Sequence, residues 1–324
     1  MATSEQILAL LEAYSNNDRN QFKLISLQIA ADEAVKKHQT LANKIKKLAD
    51  NFDNSPNNKV IYSTESQNNL FSTYYPSNRM TEIVVNNEIN SQIYRIIEEY
   101  KNRKKLASYG MCNRRRILLE GEPGTGKTFT ASVIATELRL PLYVIQMDKI
   151  VSKFMGETSV KLREIFDEIL SYEGVYLFDE FDAIGANRNL DNEVGEARRI
   201  LNSFLQFVEQ DFPDSIIIAA TNNKKILDQA LFRRFDDILH YTLPTKDEIK
   251  RILQLKFGTD NKVLYTEKLL DKASELCHAD IIKACDNALK DSILNDIQMS
   301  EELIMKHLIE RNNFYRIDNT CRNA

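Results

Sequence analysis

The chain has 324 residues, of which 43% are hydrophobic and 28% charged, with a net charge of −4 and 9 glycines. Such a length suits about two domains with a substantial core, and a weakly acidic balance gives no global attraction for nucleic acid. No apolar run approaches the about 18 residues needed to span a bilayer, and the N-terminus lacks the apolar segment of a secretory signal, so a cytoplasmic protein without membrane contact is expected. Cys112, Cys277, Cys285 and Cys321 follow no paired spacing and read as free thiols of a reducing compartment.

In chain order, residues 1–50 read as a small helical bundle. Thr3 with Gln6 forms a candidate capping box. Ile7, Leu10, Leu11 and Tyr14 recur at helical spacing, as do Phe22, Ile25 and Ile29, and then Leu41, Ile45 and Leu48. Residues 51–75 are expected to be a linker, opening on the turn formers of 51–58. Residues 76–244 carry apolar runs at 116–119, 141–146, 174–179, 215–221 and 238–241 that alternate with helical patterns, which predicts a parallel sheet covered on both faces. Arg114, Arg115 and Arg116 read as a solvated lead-in to the first of these strands. Beyond Pro244 the periodicity is helical only: Thr245 and Glu248 make a second capping box, and helices are expected at 266–276, 279–296 and 300–311, giving a helical lid over 245–324.

The chemistry is concentrated in the middle of the chain. Gly121, Glu122, Pro123, Gly124, Thr125, Gly126, Lys127 and Thr128 fill the pattern G-x-x-x-x-G-K-[ST] directly after Ile117-Leu118-Leu119. Glycines let successive backbone N–H groups turn inward around phosphates at the start of a helix. ATP with Mg²⁺ is therefore the expected ligand, Lys127 reaching the β and γ phosphates and the Thr128 hydroxyl reaching the metal. The apolar run Val175-Tyr176-Leu177-Phe178 then ends in Asp179-Glu180. This order places a metal-binding Asp179 beside a Glu180 able to deprotonate the attacking water.

Together with these, Asp179-Glu180-Phe181-Asp182-Ala183-Ile184-Gly185, the strand Ile216 to Asn222, and the segment Leu227 to Asp236 resemble motifs of the classic AAA group of AAA+ ATPases. The resemblance covers roughly residues 76–300. It implies a five-stranded P-loop sheet of order 5-1-4-3-2, Asn222 as the sensor that polarises the attacking water, and Arg233 and Arg234 as fingers reaching a neighbouring subunit of a ring, expected to be a hexamer. The family's Pro-Gly between the two arginines is missing here, which leaves open which of them makes that contact. Lys153 to Thr158 resembles the pore loop of AAA unfoldases, with Phe154, Met155 and Gly156 gripping a protein substrate. Cys277-His278-Ala279-Asp280 lines up with the family's S-G-A-D at the nucleotide. Ala279 is then a contact and His278 a packing variant. Glu82 to Val85 falls where the family packs on adenine.

The implied activity is ATP hydrolysis coupled to remodelling, unfolding or translocation of proteins, with a separately encoded peptidase, or an adaptor held by residues 1–50, as candidate partners. No H-E-x-x-H accompanies the four histidines, so no zinc peptidase of that type is expected within the sequence. Two alternatives stand beside this reading: an ATP-dependent switch that orders a partner without threading it, and a nucleic-acid loader, which would favour basic residues over Phe154 and Met155.

Overall fold

The computed structural model describes residues 4–15, 19–35, 38, 44–45, 70–150, 157–185, 191–210, 215–222, 232–258 and 266–321. Thr3, most of the third N-terminal helix, the linker up to residue 69, the expected pore residues Phe154, Met155 and Gly156, and residues 223–231 lie outside them. The chain divides into two compact units, residues 1–59 and 60–324.

In the first unit, helices Ser4–Ser15 and Arg19–Val35 pack on each other, and Gln6 Nε2 donates to Asp32 Oδ2 at 2.6 Å. The second helix buries Ile29 and Ala30. The expected apolar stripe of the first is only partly used, because Ile7 and Leu11 are exposed and Leu10 is half-buried.

The second unit is built on a six-stranded sheet: β1 (Phe71–Tyr74), β2 (Arg116–Gly121), β3 (Leu142–Ile145), β4 (Val175–Phe178), β5 (Ile216–Thr221) and β6 (Asp237–Tyr241). Its order is β1-β3-β4-β5-β2-β6. The five expected strands are all parallel and lie in the order the resemblance implied. The addition is β1, which pairs antiparallel with β3 at the edge and whose Phe-Ser-Thr-Tyr alternates too briefly to announce a strand.

Strands β4 and β5 are buried at every position, as expected where helices cover both faces. One face packs Phe166, Phe178, Phe181 and Phe204, all essentially inaccessible, with Phe181 and Phe204 ring centroids 4.5 Å apart. The other carries Ile117, Leu119, Ile218 and Leu239 against the helices Asn87–Lys101 and Lys127–Leu138. The first of these helices is capped by Asn86, whose side chain accepts from Ile89 N, and it buries Ile89, Ile93, Ile96, Ile97 and Tyr100.

The arginine run before β2 is not a solvated lead-in. Arg114 pairs with Glu99 and Asp237, and Arg116 Nη2 lies 2.7 Å from Asp236 Oδ1. Asp236 Oδ2 also accepts from the backbone N–H groups of Arg115 and Arg116. These donors hold the Asp236 carboxyl below its ordinary range even though burial alone would push it up.

After Pro244, helices Lys246–Phe257, Glu267–Ala273, His278–Leu294 and Glu301–Cys321 follow, and the Thr245–Glu248 capping box is formed as expected. They enclose a core of their own around Ile249, Leu253, Leu269, Ile281 and Leu308, into which Val84 from the segment before the helix Asn87–Lys101 is drawn. No helix among the described residues is long and apolar enough to cross a membrane. Phe204 stands at the centre of its aromatic cluster, so Phe204→Ala is expected to lower stability by about 3–5 kcal/mol; urea denaturation will measure it, and a loss under about 1 kcal/mol would place Phe204 outside the packed core.

Candidate active site

Three adjacent strands end in the residues singled out from the sequence. The register sets Glu120 opposite Thr221 and Phe178 opposite Ala219, so Gly121 at the end of β2, Asn222 after β5 and Asp179-Glu180 after β4 emerge side by side at the carboxyl edge of the sheet. Ligands of open α/β sheets bind at that edge. There is no room for a side chain where the loop leaves β2, since a Cβ on Gly121 would fall 2.4 Å from Tyr241 O.

Gly124 and Gly126 adopt φ of +76° and +102°, a left-handed region that glycine enters freely. Lys127 begins the helix Lys127–Leu138, and its Nζ donates to Gly121 O and Glu122 O, each at 2.8 Å. Burial lowers the Lys127 pKa, while Asp179, Asp182, Cys277 and Glu122 act in the opposite sense. Thr128 Oγ1 donates to Asp179 Oδ2 at 2.7 Å, tying the start of this helix to the end of β4.

Glu180 is exposed, and its backbone sits at φ +51°, a conformation costly for a residue with a side chain. It is retained by two contacts: Glu180 N donates to Asp179 Oδ1 at 2.9 Å, and Glu180 O accepts from Ala183 N at 2.8 Å. Asp182, quoted in the motif but given no role from sequence, links two strand ends. Its Oδ1 accepts from Thr221 Oγ1 and from Asn222 N, both at 3.3 Å. The signal was the third carboxylate of the D-E-F-D run, and only the fold supplies its partners.

A fourth group comes from the lid. Ala279 N donates to Gly124 O at 3.0 Å, and a Cβ on Gly124 would stand 2.5 Å from Cys277 Sγ and 3.3 Å from Ala279 Cβ. The start of the helix His278–Leu294 therefore lies directly against the glycine loop. Cys277 Sγ is 3.0 Å from Asp280 Oδ2, and Asp280 in turn accepts from Arg311 Nε at 2.9 Å. Arg233 is exposed, whereas Arg234 is half-buried and pairs with Glu209 of the same chain. The structure thus brings together Gly121 to Thr128, Asp179, Glu180, Asn222 and Ala279, and leaves Arg233 and Arg234 on their own turn before β6.

A glycine loop between strand and helix, a lysine at the helix start, and a hydroxyl bonded to a strand-end aspartate meet at this edge, an arrangement that could hold a phosphate group. The sequence agrees: residues 117–243 match the family described as "ATPase family associated with various cellular activities (AAA)". The chain carries an AAA ATPase domain. ATP hydrolysis is its activity.

Among curated proteins, the chain is 29% identical over 308 residues to an uncharacterized AAA family ATPase, y4kL, of Sinorhizobium fredii, covering 93% of each. It is 34% identical over 188 residues to the ATP-dependent zinc metalloprotease FtsH of Mycoplasma mobile, covering 56% of this chain and 27% of that one. It is also 27% identical over 200 residues to a protein of Methanocaldococcus jannaschii named as a 26S proteasome regulatory subunit homolog, MJ1494, covering 61% of this chain and 53% of that one. The chain therefore spans nearly all of the first relative, but only about a quarter and about half of the other two.

The AAA domain's contact between glycine loop and lid yields a direct test. Gly124→Ala should weaken ADP binding at least about tenfold, because the new Cβ both forces an unfavourable φ and presses on Cys277. Adding Cys277→Gly should recover part of that loss in calorimetric titration; unchanged affinity in the single variant would mean that the loop tolerates displacement from the lid.

Proposed function

We propose that this AAA ATPase assembles into a ring, most simply a hexamer, and uses hydrolysis to remodel, unfold or translocate protein substrates. Residues 76–244 would hold the nucleotide and residues 245–324 close over it. The observation that carries the ATPase part is the convergence of Lys127, Thr128, Asp179, Glu180 and Asn222 at one edge of the sheet. Ring formation and action on protein draw support from the exposed Arg233 and from relatives named as a metalloprotease and a proteasome regulatory subunit homolog.

In this reading the backbone N–H groups of residues 121–128 cradle the phosphates and Lys127 gives up its loop carbonyls for the β and γ oxygens. The donor set of a hydroxyl and a carboxylate 2.7 Å apart suits Mg²⁺, a hard cation that favours oxygen ligands. Thr128 and Asp179 would hold the ion, which when bound neutralises phosphate charge. Glu180 takes a proton from the attacking water as its oxygen bonds to the γ phosphorus and the bond to the bridging oxygen breaks. Asn222, its backbone bonded to Asp182, orients that water.

An arginine from the neighbouring subunit would offset the charge of the transition state, worth about 10³- to 10⁵-fold in rate. Arg233 is assigned this part, because Arg234 is engaged by Glu209 within its own chain. Arg233→Ala should then cost at least about 100-fold in kcat and Arg234→Ala under about threefold, with Arg233→Ala subunits regaining activity when mixed with Lys127→Ala subunits. Equal losses in both variants would assign the contact to the pair.

Glu180→Gln should bind ATP as the parent does while losing at least about 100-fold in turnover, since the carboxylate acts only in the chemical step. Retained turnover would reassign the base. The same variant, loaded with ATP in a host lysate and recovered, tests the cellular role, with Phe154→Ala in the same background as its control. Polypeptides held by Glu180→Gln and lost with Phe154→Ala support threading of protein; nucleic acid, or one partner retained regardless of Phe154, would replace that reading with a loader or a switch.

A further inference from the structure

We propose that Tyr241 and Thr130 are positioning residues of the nucleotide site, holding the peptide between Gly126 and Lys127 so that its N–H faces the phosphates. The inference rests on the nucleotide reading above. Tyr241 ends β6 and reaches the glycine loop at both of its ends, once directly and once through Thr130. At the first end its backbone fills the space beside Gly121, where a Cβ would meet Tyr241 O at 2.4 Å and Tyr241 Cβ at 2.6 Å. At the second end its hydroxyl lies 2.6 Å from Thr130 Oγ1, and Thr130 Oγ1 donates to Gly126 O at 3.1 Å.

The donors available fix the direction of these two bonds. A carbonyl can only accept, so the single Thr130 hydroxyl proton goes to Gly126 O and Tyr241 donates to Thr130. Gly126 O also accepts from Thr130 N at 2.9 Å, which places two donors on one carbonyl. Across a trans peptide the C=O and the following N–H point in opposite directions. Holding Gly126 O into the helix Lys127–Leu138 therefore aims the Lys127 N–H out of the first turn, where helix N-termini bind anions. Gly126 sits at φ +102° and has no Cβ to resist rotation of this peptide. Thr130 and Tyr241 supply a restraint beyond the helix's own hydrogen bond.

Packing alone does not call for these hydroxyls. Thr130 and Tyr241 are buried, and Tyr241 belongs to the apolar layer that includes Ala131, Val133, Ile134 and Leu239. Phenylalanine would fill the same space, and a hydroxyl brought into such a layer is costly unless it is bonded. Burial pushes the Tyr241 phenol up from its ordinary range, so it keeps its proton and remains a donor. The strand that leaves no room for a side chain at Gly121 thus also sets the aim of the Lys127 N–H.

The test uses the full chain, with ADP titrated by calorimetry, ATP turnover, and thermal melting without ligand. Tyr241→Phe should weaken ADP about fivefold and raise KM for ATP by a similar factor, with kcat within about twofold, because the donor serves ground state and transition state alike. Thr130→Val should lose at least as much, and Thr130→Ser, which keeps the hydroxyl, should stay within about twofold of the parent. Adding Tyr241→Phe to Thr130→Val should cost no further affinity, since the two residues act in one line. Tyr176→Phe is the control for structure alone: it removes another buried hydroxyl of the same sheet, one that donates to Tyr172 O at 2.8 Å. It should lower the melting temperature while leaving ADP affinity and KM within about twofold of the parent. Undiminished ADP affinity in Tyr241→Phe, an equal loss in Tyr176→Phe, or additive losses in the double variant would overturn the proposal. Failure of the parent protein to bind ADP would overturn the nucleotide site itself, and this inference with it.

Discussion

Everything at the active edge depends on the parallel pairing of β2 with β5 on one side and β6 on the other. A one-residue slip in either ladder would turn each side chain to the opposite face and move Gly121 relative to Tyr241, where no space for a Cβ exists. That contact and the buried apolar faces of β4 and β5 fix the register. Register then sets the spacing between the glycine loop, Asn222 and the Asp179-Glu180 pair. The site is thus a by-product of sheet packing, and its precision comes from strands buried on both sides.

Above this rigid edge sit softer elements. Glu180 in a left-handed conformation, Asp182 bridging to Asn222, and the lid helix leaning on Gly124 are each held by one or two hydrogen bonds. Such bonds contribute about 0.5–1.5 kcal/mol apiece, far less than the buried core beneath them. A strained backbone at Glu180 is tolerable because the neighbouring core is large and closely packed. The division of labour is physical: aromatic burial supplies stability, and a few polar contacts set the positions of the site residues.

Much of this was legible in the chain. Apolar runs located β2 to β6 to within two residues, most plainly for β4 and β5, whose every position is buried. The glycine loop was legible because its residue types have no other common use at that spacing. What escaped was whatever needed a partner distant in sequence. Arg114 and Arg116 looked solvated because Glu99, Asp236 and Asp237 are brought to them only by the fold. The edge strand β1 was too short to show a period, and the exposure of Ile7 and Leu11 contradicts an apolar stripe that is nevertheless present in the sequence.

The contraction between Arg233 and Arg234 has a mechanical side. Phe235 is buried, and Asp236 is clamped to the start of β2 by two backbone donors and a guanidinium. Arg233 stands three residues before that anchor, and an extended chain offers at most about 3.3–3.6 Å per residue. The slack available to its backbone is therefore about 10 Å toward the clamp, and part of it is already taken up in the turn. Whatever the guanidinium meets must come close to the anchored strand, so tolerance for sloppy apposition is set by chain length, and lengthening this segment would loosen the fit without altering any contacting group.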